Sequence, residues 1–319
     1  MTFTVLRTAA GAVVAPFMIK ALKSIPDVRV VAVDADPLSC GFLLADKYYT
    51  VPAVASLEFL PMMLKICKQE SVDLLFPDLD EELPLLAEGK NEFEAIGTSI
   101  LISNPTTIRT CNDKYYTYQF LQEHGIPTPK TYLPEQLSEQ DVQFPLIVKP
   151  RSGRGSKNVF KARSWKELQF LIEYIENPII QEFVNGIEYT IDTLSDLEGN
   201  FLYCSIRQRI ATDSGISIKG RTISHPHIYK YTKHIVERLK IIGPGCLQCI
   251  ESNDGEVKFT EVNPRIGGGA VLSLAAGAPI VTDIVKLVRG EAPDGLKAYQ
   301  TGLIMLRYWE EVFTSGGSL

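Results

Sequence analysis

The most informative part of the chain is the stretch Glu256-Val257-Lys258-Phe259-Thr260-Glu261-Val262-Asn263-Pro264-Arg265-Ile266-Gly267-Gly268-Gly269. Its alternating pattern predicts a strand, on which Glu261 and Asn263 lie two positions apart and therefore point to the same face. Pro264 cannot donate to a sheet ladder, so we expect the strand to end there. A salt-bridged pair on a solvated strand would account for Glu261 but not for the whole group.

Oxygen-bearing side chains in this pattern suit a magnesium ion, which keeps several waters and takes substrate phosphates as further ligands. Gln248 lies on the preceding strand of a hairpin predicted over Cys246–Val262 and can add a third oxygen. We therefore predict Gln248, Glu261 and Asn263 as metal ligands. Arg265 follows directly, and a guanidinium there can stabilise charge on a transferring phosphoryl group.

A basic loop of small residues lies earlier, between predicted strands Pro145–Lys149 and Asn158–Lys161. Its sequence is Lys149-Pro150-Arg151-Ser152-Gly153-Arg154-Gly155-Ser156. Glycines let the backbone approach a polyanion, free N–H groups can bind phosphate oxygens, and Lys149 supplies a point charge. The loop differs from a P-loop, because no Gly-Lys-Ser/Thr follows and the next element is a strand. Taken alone, it is equally explained by an ordinary glycine turn.

A third pattern covers Ile179–Asp192, where an apolar strand meets a bend at Asn185-Gly186. The following strand carries Glu188 and Asp192 on one face, because they are four positions apart. Backbone groups of Glu182-Phe183-Val184 can pair with an adenine edge, and Glu188 can bind ribose hydroxyls. A plain hairpin is the alternative interpretation.

The first hundred residues alternate strands with helices. The expected strands are Phe3–Arg7, Val28–Asp34, Lys47–Val51, Val72–Phe76 and Ser99–Ile102, and the expected helices are Val13–Lys23, Leu57–Gln69 and Glu81–Phe93. This alternation predicts a parallel sheet covered on both faces, with ligands at the carboxyl ends of the strands. The first strand-to-helix turn lacks Gly-x-Gly-x-x-Gly, which argues against a dinucleotide-binding dehydrogenase.

An acidic cluster follows the fourth of these strands. It comprises Asp78, Asp80, Glu81 and Glu82. Asp78 or Asp80 caps the next helix in one interpretation, and the cluster lies near a substrate in the other. The sequence supports both interpretations equally.

From about Asn104 the pattern changes. Helices are expected at Thr106–Asn112 and Asp113–Glu123, followed by the strands Pro145–Lys149, Asn158–Lys161, Pro178–Gln181, Glu188–Ser195, Phe201–Ile210, Cys246–Ser252 and Val257–Val262. Several strands are amphipathic, which favours antiparallel pairing. The predicted fold class is therefore a parallel α/β domain followed by an α+β domain with antiparallel sheets.

Composition excludes several classes of protein. The 319 residues contain 32 Lys+Arg and 38 Asp+Glu, for a net charge of −6, which argues against a general nucleic-acid surface. Hydrophobic residues make up 45% and charged residues 22%, as in a globular chain with ample core. Since no apolar run approaches the roughly 20 residues that span a bilayer, we expect no membrane partner and a cytoplasmic location.

The order of these motifs resembles the ATP-grasp superfamily. The matching positions are Asp113-Lys114, Val148-Lys149-Pro150 with its glycine loop, Gln181-Glu182-Phe183 with Gly186-x-Glu188, and Glu261-x-Asn263-Pro264-Arg265. They cover most of residues 105–310, and the preceding segment looks like the domain that accompanies ATP-grasp modules in biotin carboxylase. The likeness is strongest to one synthetase half of the carbamoyl-phosphate synthase large subunit, particularly around Gly245-Cys246-Leu247-Gln248.

This resemblance implies a division into a pre-ATP-grasp domain, 1–104, and an ATP-grasp domain, 105–319. The second would comprise subdomains of about 113–180 and 181–310. The glycine loop is shorter than in carbamoyl-phosphate synthase, and the chain lacks the second synthetase half, the allosteric domain and any glutaminase.

The resemblance also assigns roles to individual residues. The implied cofactors are ATP and Mg²⁺, with Mn²⁺ as an alternative ion. The residues implied to bind ATP are Lys114, Lys149, Ser152, Gly153, Gly155, Ser156, Glu182, Phe183, Val184 and Glu188, the implied metal ligands are Gln248, Glu261 and Asn263, and Arg265 matches an arginine at the γ-phosphate. Arg207 and Arg209 share a strand face and can bind a substrate carboxylate, although a surface strand explains them nearly as well.

The function implied is a ligase that joins a small carboxylate to an amine or thiol through an acyl phosphate. One alternative is half of a split carbamoyl-phosphate synthase, which phosphorylates bicarbonate or carbamate; another is a nucleotide-binding sensor or subunit without turnover. The stretch 212–219 has the composition of a mobile lid between strands, and an ordinary solvated loop is the alternative. A homodimer is implied by the resemblance alone.

Overall fold

The computed structural model describes residues 2–140 and 142–315 and contains three sheets. The first is parallel, with the order β3-β2-β1-β4-β5. Its strands are β1 (Phe3–Arg7), β2 (Val28–Asp34), β3 (Lys47–Thr50), β4 (Leu74–Phe76) and β5 (Ser99–Ile100), and its helices are α1 (Ala15–Lys23), α2 (Phe59–Gln69), α3 (Leu83–Glu88) and α4 (Lys90–Ala95). All five residues of β1 are buried, as expected for a central strand covered on both faces.

The single helix predicted over Glu81–Phe93 is wrong. Two short helices, α3 and α4, occupy this region and meet at Gly89. A glycine lowers helix stability at this point because it loses more backbone freedom than other residues. A Cβ at Gly89 would also lie 3.1 Å from the Leu60 side chain, so the small residue lets the junction pack closely on α2.

The rest of the described chain forms two antiparallel sheets, so the predicted fold class is confirmed. Helices α5 (Pro105–Asn112) and α6 (Lys114–Glu123) come first. The four-stranded sheet has the order β6-β9-β7-β8, with β6 (Thr131–Tyr132), β7 (Leu146–Pro150), β8 (Phe160–Ala162) and β9 (Pro178–Glu182), and α7 (Trp165–Tyr174) packs on it. The division of the chain at residue 104 stays a prediction.

The second antiparallel sheet has six strands in the order β14-β13-β10-β11-β12-β15. They are β10 (Gly186–Ser195), β11 (Phe201–Asp213), β12 (Ile216–Ile223), β13 (Pro244–Ser252), β14 (Val257–Asn263) and β15 (Ile304–Leu306), and the helices in this part are α8 (Pro226–Leu239), α9 (Ala270–Ala275) and α10 (Ile280–Val288). Apolar residues of β10, β11, β13 and β14 pack against α8. The opposite face carries the polar residues described below.

The stretch 212–219, expected to be a loop between strands, is a β-hairpin. Strand β11 continues to Asp213 and β12 begins at Ile216, so only Ser214 and Gly215 form the turn. Both have positive φ, 48° and 76°, which is the backbone conformation of a two-residue type I′ turn.

A buried ion pair fastens α9 to the six-stranded sheet. The Arg207 guanidinium donates to both oxygens of Asp192, at 2.5 and 2.9 Å, and both side chains are 2% exposed. The Ser273 hydroxyl of α9 donates to the same carboxylate at 2.5 Å. Gly269 leaves room for the arginine, because a Cβ there would lie 2.4 Å from Arg207 Nη1.

We expect Asp192→Ala to lower the free energy of unfolding by about 3–5 kcal/mol, because it leaves the Arg207 charge buried without a partner. Glu237→Ala, which removes only the exposed pair with Lys233, is the control and should cost less than about 1 kcal/mol. Urea denaturation followed by circular dichroism measures both. Equal, small losses in the two variants would show that the buried pair does not stabilise the fold.

Candidate functional site

Antiparallel register gathers the predicted metal ligands on one sheet face. Glu261 of β14 lies opposite Gln248 of β13, and Asn263 lies opposite Cys246. The two rows continue across β10 and β11: Gln248 faces Thr190 and then Arg207, while Cys246 faces Asp192 and then Ser205. Residues in register share a face, so the predicted ligands and the Arg207–Asp192 pair lie on the same side of the sheet.

An irregularity in the β13–β14 ladder sits beside these ligands. Gln248 pairs with Glu261 but Cys249 pairs with Phe259, so Thr260 is an extra residue on β14. The Thr260 hydroxyl donates to the Gln248 carbonyl at 3.3 Å. Such a bulge changes the direction of neighbouring side chains, and bulges are common next to functional sites.

The side-chain oxygens at this point suit a hard cation. The Glu261 carboxylate makes no hydrogen bond or ion pair with any residue in 2–140 or 142–315. Asn263 donates its amide nitrogen to the Cys246 carbonyl at 3.3 Å, which leaves its amide oxygen to other partners. Together with the Gln248 amide oxygen, which also accepts from Arg209 Nη1 at 2.9 Å, they form an all-oxygen set, and Mg²⁺ favours oxygen ligands.

Lys149, at the end of β7, is close enough to Glu261 for their charges to interact. Its ammonium group donates to Gln181 Oε1 at 2.9 Å, and Gln181 in turn donates to the Thr131 hydroxyl at 2.8 Å. Burial lowers the pKa of Lys149 to about 8, against the opposing effect of the Glu261 charge. Lys149 thus lies within electrostatic range of a carboxylate that has no hydrogen-bond partner among the described residues.

The structure brings Lys114 to the glycine loop, although 39 positions separate them. Lys114 donates through its ammonium group to the Gly153 carbonyl at 2.8 Å and through its backbone N–H to Arg151. Arg151 binds Asp113 at 2.7 Å, and Asp113 caps α6 by accepting from Tyr115 N. In the motif Asp113-Lys114, the aspartate therefore stabilises the start of α6 and binds Arg151, while the lysine side chain contacts the glycine loop.

The tip of the glycine loop contacts the β11–β12 turn. A Cβ built on Gly215 would lie 2.9 Å from both the Gly155 carbonyl carbon and Ser156 Oγ. Residues 152–156 are exposed, including the predicted ATP-binding residues Ser152, Gly153, Gly155 and Ser156. Arg154, within the same loop, binds Glu81 of the first domain at 2.9 Å.

Glu182 ends β9, and residues 183–185 connect it to β10. Glu182 accepts from Lys258 Nζ at 3.0 Å, and the ammonium group of Lys161 lies 3.4 Å from the centre of the Phe183 ring. Val184 is half-buried. The side chain of Glu188, at the start of β10, is 51% exposed and lies 3.5 Å from Arg209 Nε. Their assignments to adenine and ribose stay predictions.

The three predicted arginines have different surroundings. Arg207 is committed to Asp192 and is 1% exposed, so its predicted contact with substrate rests on the sequence alone. Arg209 donates to Gln248 Oε1 at 2.9 Å and to the Gly215 carbonyl at 2.8 Å, and it thereby joins a predicted metal ligand to the hairpin turn. Arg265 binds Asp80 through two hydrogen bonds of 2.7 and 2.5 Å.

Of the two interpretations of the acidic cluster, capping by Asp78 or Asp80 is excluded, because α3 begins without a side-chain cap. Asp78 instead pairs with the buried Arg7 at 2.9 Å, and Asp80 reaches Arg265. Sequence analysis missed the Asp80–Arg265 pair, which joins residues 185 positions apart and leaves no local pattern.

Comparison with protein families identifies both parts of the chain. Residues 111–269 match the model of the ATP-grasp domain, and residues 8–101 match that of the PylC-like N-terminal domain. The chain therefore contains an ATP-grasp domain, preceded by a PylC-like N-terminal domain.

The chain is also similar to individual proteins, and its fold resembles those of solved structures. The carbamoyl phosphate synthase large chain of Methanobrevibacter smithii is 24% identical over 297 residues, which cover 85% of this chain but only 28% of that relative's length. The fold resembles the biotin carboxylase domain dimer of Hydrogenobacter thermophilus 2-oxoglutarate carboxylase, in complex with MgADP, ADP and bicarbonate (TM-score 0.76, 17% identity, 94% of this chain and 72% of that one). It also resembles the L-amino acid ligase of Bacillus licheniformis (TM-score 0.70, 17% identity, 92% and 75%).

Within residues 2–140 and 142–315, none of the helices has both the length and the apolar character needed to cross a bilayer.

Glu82 gives a pH-dependent prediction. Burial raises its pKa to about 7, although it accepts from the Thr8 hydroxyl and from two backbone N–H groups of its own turn. Between the ordinary glutamate pKa and 7, the folded protein keeps a proton that the unfolded chain has lost, so the free energy of unfolding falls as pH rises through this window. The fall should be about 3 kcal/mol.

Glu82→Gln keeps a neutral side chain and should remove this fall. Urea unfolding of both proteins at pH 5 and pH 8 tests it, since all other titrating groups are shared and cancel in the comparison. An identical pH dependence in the two proteins would show that Glu82 titrates normally.

Proposed function

We propose that this chain is a Mg-ATP-dependent ligase that joins a carboxylate to an amine or thiol. The observation that carries the proposal is the Glu261 carboxylate, which has no hydrogen-bond partner in the described chain, interacts electrostatically with Lys149 and shares a sheet face with Gln248 and Asn263. The ATP-grasp domain at residues 111–269, with relatives among carbamoyl phosphate synthase large chains, supports it.

The proposed reaction has two steps. A carboxylate oxygen attacks the γ-phosphorus of ATP and the bond to ADP breaks, which gives an acyl phosphate. The amine or thiol then attacks the acyl carbon, inorganic phosphate leaves, and the nucleophile's proton passes to phosphate or solvent. No protein nucleophile is needed, so the chain acts by positioning and by stabilising charge.

The residues of the site divide this work. Glu261, Asn263 and Gln248 would hold Mg²⁺, which neutralises charge on the transferring phosphoryl group. Lys114 and Lys149 would bind phosphates under the glycine loop, and Arg265 would stabilise the γ-phosphoryl group. The segment 182–184 would hold adenine through its backbone, and Glu188 would bind the ribose.

Two lysines and the exposed glycine loop support the binding of a nucleotide and an ion at this site. Lys114 already lies at the glycine loop, and the charge of Lys149 interacts with that of Glu261. The loop is exposed on one side and held on the other by the β11–β12 turn, so its backbone remains accessible to phosphate. A homodimer, like that of the biotin carboxylase domain, is part of the proposal.

A second candidate is one half of a split carbamoyl-phosphate synthase, acting on bicarbonate or carbamate. It is favoured by the match to 28% of the length of a carbamoyl phosphate synthase large chain. It predicts that bicarbonate alone stimulates ADP release, whereas the ligase predicts stimulation by an organic carboxylate together with an amine or thiol.

Glu261→Ala should reduce substrate-stimulated ADP release about 100-fold or more, because a metal ligand is lost. Glu256→Ala is the matched control: it removes a carboxylate from the same hairpin, where Glu256 pairs with Lys258. ADP release would be measured with bicarbonate and ammonia, then with pools of carboxylic and amino acids. Full activity in Glu261→Ala would refute the metal assignment.

Lys149→Met should weaken ATP binding about 10- to 100-fold, since a charged hydrogen bond contributes about 1.5–3 kcal/mol. Isothermal titration calorimetry measures the dissociation constant. Lys233→Met, on the exposed face of α8, is the control and should bind ATP as the wild type does. Unchanged affinity in Lys149→Met would remove Lys149 from the phosphate site.

A further inference from the structure

The four carboxylates of the turn after β4 bind four different partners. The turn therefore connects separate parts of the chain. The pairs are Asp78 with Arg7, Asp80 with Arg265, Glu81 with Arg154, and Glu82 with Thr8. Two of the partners, Arg7 and Thr8, lie at the end of β1 and directly after it. The other two lie beyond residue 150, in the glycine loop and immediately after β14.

The two inner pairs fix the shape of the turn. Arg7 is fully buried at the end of β1, and Asp78, with a 4% exposed side chain, is its only ion-pair partner among the described residues. Glu82 folds back to accept from the backbone N–H groups of Asp78 and Leu79 at 2.8 and 2.9 Å. The backbone on both sides of Asp80 is therefore held from within the first domain.

Asp80 itself is anchored on both sides. Its backbone carbonyl accepts from Asn112 Nδ2 at 2.9 Å, and its carboxylate takes two hydrogen bonds from Arg265. Both side chains of the pair are 14% exposed. A paired guanidinium and carboxylate in this two-point arrangement fix each other's orientation, and partial burial reduces solvent screening.

Arg265 keeps donors free while it is held. A guanidinium has five N–H donors, of which two bind Asp80 and a third binds the Ile266 carbonyl. Two remain for an anion. By contrast, Glu81 and Arg154 are about half-exposed, and an exposed pair contributes little.

We propose that Asp80 is a positioning residue, which orients Arg265 toward the γ-phosphoryl group and so makes the rate of phosphoryl transfer depend on the first domain. This inference rests on the proposed function. Loss of the Asp80 carboxylate should therefore lower kcat and leave ATP affinity unchanged, because Asp80 contacts the arginine and not the nucleotide.

The test uses the full chain with Asp80→Asn, which keeps the size of the side chain and removes its charge. We expect kcat for substrate-stimulated ADP release to fall about 10-fold or more, with the ATP dissociation constant within about 2-fold of wild type. Asp80→Glu should recover part of the lost rate, since a longer carboxylate can still pair. The control is Glu70→Gln, which breaks the part-buried Arg29–Glu70 pair away from the site and should leave kcat unchanged.

The double variant Asp80→Asn/Arg265→Lys distinguishes positioning from independent effects. If Asp80 acts through Arg265, the double variant should lose no more rate than Arg265→Lys alone. Multiplied losses, or wild-type kcat in a folded Asp80→Asn protein, would overturn the inference. Circular dichroism and thermal melting establish folding of each variant. Absence of ADP release by the wild-type protein with every substrate would overturn the proposed function itself, a result distinct from an active wild type with an unimpaired Asp80→Asn variant.

Discussion

The antiparallel register of the six-stranded sheet is the constraint on which the site depends. It sets Glu261 opposite Gln248 and Asn263 opposite Cys246, and it extends both rows to the Arg207–Asp192 pair. A slip of one residue between β13 and β14 would turn the oxygens of one strand to the apolar face that packs on α8. The register therefore determines which side chains meet at the candidate metal site.

Two arginine–carboxylate pairs connect this sheet face to other parts of the molecule, and they differ in how deeply they are buried. Arg207–Asp192 is almost completely buried and, with Ser273, holds α9 against the sheet. Arg265–Asp80 is less buried and joins the end of β14 to the first domain. Removing a partner from the deeper pair should mainly reduce stability, whereas the shallower pair lies where a change in orientation can alter chemistry.

Much of this arrangement follows from the sequence, because local patterns carry it. Period-two alternation places Glu261 and Asn263 on one face, and the β13–β14 hairpin adds Gln248. Local patterns also place Lys149 at the end of a strand that precedes a glycine loop. What the sequence leaves open depends on contacts between distant segments, such as Asp80 with Arg265, or on small local preferences, such as the helix break at Gly89. The full length of β11 and β12 is not predictable from the sequence pattern, because polar residues that favour loops also occupy the exposed end of a hairpin.

The central claim is that one sheet face holds Mg-ATP, and a crystal structure with Mg²⁺ and a non-hydrolysable ATP analogue tests it most directly. The predicted result is a Mg²⁺ ion about 2.1 Å from oxygens of Glu261 and Asn263, with the γ-phosphoryl group between Lys149 and Arg265. A nucleotide bound elsewhere, or an ion coordinated without Glu261, would contradict the claim.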